Sequence, residues 1–384
     1  MHSLNRRSVL RSISAATLAV PTSAILTDRA MAVSAASSVS IDQLIFAQRQ
    51  QEETWAFFRS FYSDKDNVDV PKFLSHFVKS GLDQYQDATL GLVIAGYDVI
   101  AANFTGFLNA VASALGKGQF SKVFRVVGDM RFGAVVEYVD LKSTFYATNG
   151  ITVQTVFDLD NGLIARDTDY WDSRELGMSD IVGPAATTGV AVPLGAVHAG
   201  GVPRTAASPV PPGPMQLAIG PTGRPSASSE MVSFVKMFHE ALRQGRPEEV
   251  AEFFTEDALY VNPLIHQGAV GYGNFDQSIQ IRGRQLIARL LQAASQLLPD
   301  CKDSKLTHIV GGPAGGGFEW KAGGIYNYTG LDRTGLVGCT ALDLFGNRIQ
   351  RMSVKFDTFQ MSAKQYDNIR SALLQAGVVD QRQT

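Results

Sequence analysis

The stretch LIARDTDYWD, Leu163 to Asp172, loads three aspartates, an arginine, a tyrosine and a tryptophan onto the end of an apolar run. Side chains alternate across a strand, so Ala165, Asp167, Asp169 and Trp171 share one face and Arg166 takes the other. Two readings fit so many carboxylates. One is a solvated strand end, with Asp172 capping or salt-linked there. The other is the wall of an acid–base pocket, and the neighbouring strands favour it. Tyr85 and Asp87 point the same way as each other, as do Val136, Tyr138 and Asp140. Each strand offers one polar pair from a face that also carries apolar residues. Glu137 has the opposite parity and is expected to face solvent, and Arg166 is expected on the outer face.

Working outward, the chain reads as two copies of one pattern. Each copy opens with an amphipathic helix: EETWAFFRSFYS in the first, MVSFVKMFHEALRQG in the second. A short helix follows, VPKFLSHF against PEEVAEFF, and then a short strand, DQYQDATLG against ALYVNPLIHQG. A third helix comes next, YDVIAANFTGFLNAVASAL against GRQLIARLLQAASQLL. Each copy ends in strands of period-two alternation. Asp160-Asn161-Gly162 and Gly346-Asn347 supply tight hairpin turns at matching places. GGPAGGG (Gly311 to Gly317) lacks the Lys-Ser/Thr of a phosphate loop and is expected to open a hairpin. Three helices followed by strands predict an α+β class: two tandem cone-shaped domains, each with three helices on one face of a strongly curved antiparallel sheet. Such a cone encloses a natural small-molecule site.

The ends and the composition bound the rest. Arg6 and Arg7, an apolar run from Ile13 to Leu26 and the Ala30-Met31-Ala32 site follow the order of a twin-arginine export signal, so residues 1–32 are expected to be removed outside the cytoplasm. No other apolar run is long enough to span a membrane. Domains are expected at 48–176 and 229–362. Between them lies a Pro/Gly/Ala-rich linker, 183–228, and a C-terminal helix and tail, 363–384, closes the chain. The stretch from Gly183 to Ser229 carries nine of the 15 prolines. With 34 basic against 36 acidic residues and no Lys/Arg stripe, nucleic acid is not an expected partner. The six scattered histidines form no zinc motif, so neither metal nor cofactor is expected. Cys301 and Cys339 leave one disulfide open.

The order of elements and the closing strands resemble the NTF2-like superfamily, over about residues 48–176 and again 229–362. That group includes ketosteroid isomerases, SnoaL-type cyclases and limonene-epoxide hydrolases. Asp169-Tyr170-Trp171-Asp172 resembles the last-strand run of the epoxide hydrolases. The resemblance implies that Asp169 activates water, Asp140 protonates the epoxide oxygen and Tyr85 helps hold the water. Two departures stand out. Tyr138 replaces the arginine that bridges the two acids. Asp87 occupies an asparagine position where the isomerases carry their base. Without the arginine, Asp140 and Asp169 are expected to share a proton, with Tyr138 able to donate to an oxyanion. Asp167, Trp171 and Val136 are expected to line the substrate site.

The second copy aligns Tyr260 and Asn262 with Tyr85 and Asp87, and puts Trp320, Ala322 and Val354 where Tyr138, Asp140 and Asp169 stand. It keeps the shape without the central acids. Tyr260, Asn262 and His266 are candidate polar contacts for a ligand there, with a structural role the alternative for His266, a lone histidine at a strand end. Two functions follow. One is an exported, cofactor-independent acid–base enzyme acting on an apolar small molecule, by epoxide hydrolysis, epoxide-opening cyclisation, isomerisation or dehydration. The other is a non-catalytic binding or scaffold protein of the cell envelope. An internal pseudo-dimer of the two copies, or a homo-oligomer, is the expected assembly.

Overall fold

The computed structural model describes residues 41–88, 92–118, 121–140, 151–171, 216–261, 281–297, 304–322 and 336–356. The segment expected to direct export, most of the expected linker, Asp172, Asn262, His266, Cys301 and residues 363–384 lie outside them.

In the first half, α1 (Ile41–Asp66) leads into α2 (Val70–Ser75), β1 (Gln84–Asp87), β2 (Leu92–Ala95) and α3 (Tyr97–Leu115). Four long strands follow: β3 (Ser121–Asp129), β4 (Gly133–Asp140), β5 (Ile151–Asp160) and β6 (Leu163–Trp171). The second half repeats this with α4 (Ser229–Gln244), α5 (Pro247–Glu252), β7 (Phe254–Val261), β8 (Ile281–Arg282) and α6 (Arg284–Leu297). Its closing strands are β9 (Lys305–Gly312), β10 (Gly315–Ala322), β11 (Leu336–Phe345) and β12 (Arg348–Phe356). Local chemistry sets these boundaries. The Asp69 side chain accepts from the Lys72 amide at the start of α2, and Ser228 does the same for Met231 at α4. Gly245 ends α4 in the left-handed conformation. Both hairpin turns read from the sequence are present, with positive φ at Asn161 and Gly162 and at Gly346 and Asn347.

The strand orders are β2-β1-β6-β5-β4-β3 and β8-β7-β12-β11-β10-β9. The chain is therefore two tandem α+β domains of one shared strand order. One detail differs from the expected antiparallel sheet. β1 runs parallel to β6, and β7 parallel to β12, so each sheet is mixed. The long connection through β2 and α3 returns the chain to the far edge, which a tight hairpin cannot do.

Helices cover the concave face of each sheet. In the first domain Phe58, Phe61, Phe73, Phe77 and Phe157 pack as one aromatic cluster. In the second, Phe234, Phe238, Phe254 and Phe318 do the same. The convex faces pack on each other: Val127, Val135, Val156 and Tyr170 from one sheet meet Val310, Cys339 and Ala341 from the other. GGPAGGG turns the β9–β10 hairpin and lets the two sheets approach closely. A Cβ at Gly317 would lie 2.4 Å from Val135 Cγ2, and one at Gly315 would lie 2.6 Å from Val127 Cγ2.

This contact corrects the outer-face expectations. Glu137 does not meet solvent and is buried, as is Arg166, because the outer face is covered by the second domain. Arg166 bonds Asp158 (2.9 Å) in its own sheet and Glu319 (2.9 Å) across the interface, and Tyr170 donates to the same Glu319 oxygen. His308 reaches back to Asp158 (2.7 Å). Arg125 pairs with Glu137 (3.0 Å) and with Asp343 of the second domain. Residues 216–228 run beside β9, with the Leu217 carbonyl accepting from Ile309 N and the Ser226 carbonyl from Gly311 N. Cys339 is a free, buried thiol whose Sγ donates to Gln154 Oε1. Among the described residues no helix is long and apolar enough to cross a membrane.

Removing one member of the buried ionic layer leaves the others uncompensated. Arg166→Ala is expected to lower stability by about 3–5 kcal/mol. Lys72→Ala, which removes an exposed pair with Asp69, should leave the unfolding midpoint where it is. Urea denaturation of both variants at pH 7 checks the contrast. Equal midpoints would mean that the interface carries no electrostatic load.

Candidate active site

The acids read from the sequence converge on the concave face of the first sheet. Asp87 lies opposite Asp169 in the β1–β6 register, and Tyr85 lies opposite Asp167. Asp169 in turn lies opposite Thr155, and Asp167 opposite Phe157, in β5–β6. Parity therefore brings Tyr85, Asp87, Thr155, Asp167 and Asp169 into one patch spanning three strands. Val136 and Tyr138 face the same way from β4, and Asp140 ends that strand.

Asp169 is the centre of the patch. The Tyr85 hydroxyl donates to its Oδ2 (3.1 Å) and the Thr155 hydroxyl to its Oδ1 (2.5 Å). Burial raises the Asp169 carboxyl above the usual carboxylate range, while the Thr155 bond, the Lys65 ammonium and the Tyr85 bond pull it back. Asp167, two residues away on the same face, is more deeply placed and its Oδ1 has no hydrogen-bond partner. Burial, and then the Asp169 charge, push its carboxyl well up. The two carboxyls lie close on one buried face, and both are pushed up, Asp167 more strongly than Asp169. Asp140, partly exposed at the strand end, is pushed up to about 6 by burial, with Lys65 opposing and Asp66 and Asp169 adding.

The ring hydroxyls are tuned the same way. Burial and then Asp169 push Tyr62, Tyr85 and Tyr138 well above the ordinary phenol range, so all three remain neutral donors. Tyr138 packs against Tyr62 with ring centroids 4.6 Å apart. Asp87 is buried and accepts from the Trp171 indole N–H (2.9 Å). That bond orients the carboxylate and makes Trp171 a positioning group as well as a wall. Val136 is an inner wall residue, fully buried. The remaining lining is aromatic, with Phe104 packed edge-on to Tyr85 at 4.9 Å. The site is an apolar, aromatic-packed face of the sheet crossed by a band of acids and hydroxyls.

Three residues of the site were not read from the sequence. Thr155 has the same parity as Val153 and Phe157 and falls opposite Asp169, a pairing visible only once strand register is known. Tyr62 and Lys65 stand three residues apart on α1, the spacing of one helix face. The Lys65 ammonium sits 5.1 Å from the Tyr62 ring centre and 5.0 Å from that of Tyr138. From the helix it supplies a cation that opposes the rise of the Asp140 and Asp169 carboxyls.

The second domain keeps the register without the acids. Tyr260 lies opposite Met352, as Tyr85 lies opposite Asp167. Val354 lies opposite Thr340, as Asp169 lies opposite Thr155. Trp320 donates to Thr340 (3.1 Å), so that threonine is engaged by an indole instead of a carboxylate.

No family model and no curated protein matches the chain. Solved structures do, each over about one domain. An uncharacterised protein with a cystatin-like fold from Silicibacter pomeroyi is 17% identical, covering 40% of this chain and 92% of its own, at a TM-score of 0.28. An NTF2-like protein of unknown function from Burkholderia xenovorans is 16% identical, covering 32% and 84%, at 0.25. A candidate isomerase of the SnoaL-like family from Agrobacterium tumefaciens is 19% identical, covering 34% and 99%, at 0.25.

A raised carboxyl also has a stability signature. The folded state holds the Asp140 proton up to about pH 6, whereas an unfolded chain releases it near 3.8. Between those values the native state binds more protons, so stability falls as pH rises through this window. Asp140→Asn removes that cost. The variant should be more stable than the parent by about 1–2 kcal/mol at pH 8 and no more stable at pH 3.5. Thermal melts at the two pH values read the difference directly.

Proposed function

We propose that the first domain is a cofactor-independent acid–base enzyme that adds water to an epoxide on a largely apolar small molecule. What carries this reading is Asp169: a carboxyl held by two hydroxyl donors, beside acids whose hold on the proton burial strengthens. A site of that kind can pair a base with an acid at mildly acid pH. In the reaction, Asp169 takes a proton from water and the water oxygen attacks an epoxide carbon. The carbon–oxygen bond breaks and its electron pair moves to the epoxide oxygen. That oxygen takes the proton of the Asp140 carboxyl. Water and epoxide become a diol, and proton exchange with solvent resets the two acids. Tyr85 and Thr155 orient Asp169, and the aromatic walls hold the substrate. If the nucleophile is a hydroxyl of the substrate itself, the same groups perform an epoxide-opening cyclisation. Export by the twin-arginine route, expected from the N-terminal segment, belongs to the same proposal.

A second reading has its own observation. Trp171 orients the buried carboxylate of Asp87 on the same face, which suits a base that moves a proton between carbons of an enone. Turnover of terpene epoxides, hydroxy-epoxides and β,γ-enones in water labelled with oxygen-18 separates the two. A diol with one heavy oxygen supports Asp169-activated water. An unlabelled cyclic ether supports internal attack. An unlabelled shifted enone moves the chemistry to Asp87. Binding of these compounds without turnover would leave a binding module.

For the hydrolytic reaction, Asp169→Asn is expected to lower kcat by about 10²–10⁴-fold while an apolar ligand binds as tightly or better. The pH profile should be a bell. Activity rises from acid pH as Asp169 ionises, and falls as pH climbs past about 6, where Asp140 loses its proton. Loss of the alkaline limb in Asp140→Asn, with lower kcat, identifies that residue as the acid. An unchanged profile would remove it from the role.

A further inference from the structure

A second site opens in the other domain, away from the acids. A groove of about 640 Å³ lies between α4 and the start of β9, a volume in the range of small-molecule sites. Leu217 and Leu306 give it an apolar side. Lys236, Arg243 and Lys305 stand around it, with Glu240 as the opposing charge, paired to Arg243 at 3.2 Å. His239 and Ser304 meet in it, Nε2 to Oγ, at 3.0 Å. Three cations against one anion mark an electropositive place on a chain whose net charge is −2.

The first domain shows what such a place receives. By register Ser304 corresponds to Ser121: Val123 lies opposite Tyr138 and Leu306 opposite Trp320, and each serine precedes its strand partner by the same step. At Ser121 the seam between helix and strand is closed by a carboxylate. Asp66, the last residue of α1, accepts from the Ser121 amide (2.8 Å) and hydroxyl (2.9 Å). In the second domain the last turn of α4 carries Arg243 in place of an acid, and the seam is a groove. The serine remains, the internal carboxylate is gone, and the surrounding charge has become positive.

We propose that this groove binds a small organic carboxylate with an apolar body. Its oxygens take at Ser304 the position that Asp66 takes at Ser121, its charge is met by Lys236, Arg243 and Lys305, and its body lies on Leu217 and Leu306. His239 supports the arrangement. Burial, and then Arg243, lower its ring to about 4, so it is neutral at physiological pH. A neutral ring with its Nε2 proton donates to Ser304 Oγ and leaves the serine hydroxyl free to donate to the ligand. The site is independent of the chemistry in the first domain and stands whether or not that chemistry is epoxide hydrolysis.

The test uses the full chain, with octanoate as probe and the ring proton resonance of His239, assigned by its loss in His239→Gln, as a local reporter. Octanoate is expected to shift that resonance saturably. Its affinity should drop by about tenfold or more in Lys236→Gln/Lys305→Gln and fall as salt is raised. Both lysines are exposed, so the variant keeps the fold. Acetate, which lacks the body, and octanol, which lacks the charge, should each bind about tenfold more weakly or worse. The proposal is overturned if the resonance does not move, if octanol matches octanoate, if acetate matches octanoate, or if the lysine variant binds unchanged.

Discussion

Arg166 is the constraint on which the arrangement of the two domains depends. Its guanidinium is buried between two sheets, holding Asp158 of one and Glu319 of the other. Burying a guanidinium and two carboxylates costs several kcal/mol per ion unless the geometry compensates. Here Thr168, Tyr170 and His308 complete most of the shell, although Arg166 Nη2 is buried without a partner. Such a layer contributes more to register than to net stability. A slip of one residue would turn Arg166 and Asp158 onto the helix-covered face and Asp167 and Asp169 onto the interface. Correct pairing across the convex faces thus fixes which face of β6 carries the candidate site.

The two domains also differ in what they bury on the concave side. The first places Asp87, Asp140, Asp167 and Asp169 in or at the edge of an aromatic core, and the raised Asp140 and Asp167 carboxyls show that this opposes stability. The second has Ala322, Met352 and Val354 at the last three of those register positions and carries no such penalty. A tandem arrangement suits this division. The domain without the acids lends a covered convex face to the domain that carries them.

Much of this was legible in the sequence because the informative signals are local. Period-two alternation placed Tyr85, Asp87, Tyr138, Asp140, Asp167 and Asp169 on one face without knowledge of the fold. The Asn-Gly turn at 161–162 fixed the β5–β6 hairpin, and with it the pairing of the last strand. Groups that depend on non-local geometry were not legible. Thr155 looks like any β-branched strand residue until register sets it against Asp169. Lys65 looks like a helix-end lysine until the sheet curls beneath it. Glu137 and Arg166 looked solvent-facing because strand parity reports which face, but not what covers it. GGPAGGG was readable as a turn, yet its packing role appears only where Val127 and Val135 press against Gly315 and Gly317.

The density of charge in LIARDTDYWD then has a physical account. One strand serves two buried layers of opposite purpose. Arg166, Thr168 and Tyr170 point outward into an ionic layer whose charges are paired and therefore fixed. Asp167 and Asp169 point inward to a layer with no opposing charge in hydrogen-bond contact, where Asp169 meets two hydroxyls and Asp167 Oδ1 is left without a partner. The strand pleat keeps the layers apart. It gives the guanidinium of Arg166 full contact with Asp158 and Glu319, while Asp169 is left with two neutral hydroxyl donors and a lysine at a distance. Had Arg166 faced inward, it would have held Asp169 as a permanent, inert anion. Its outward parity keeps the inner carboxyls near the protonation balance that acid–base chemistry requires.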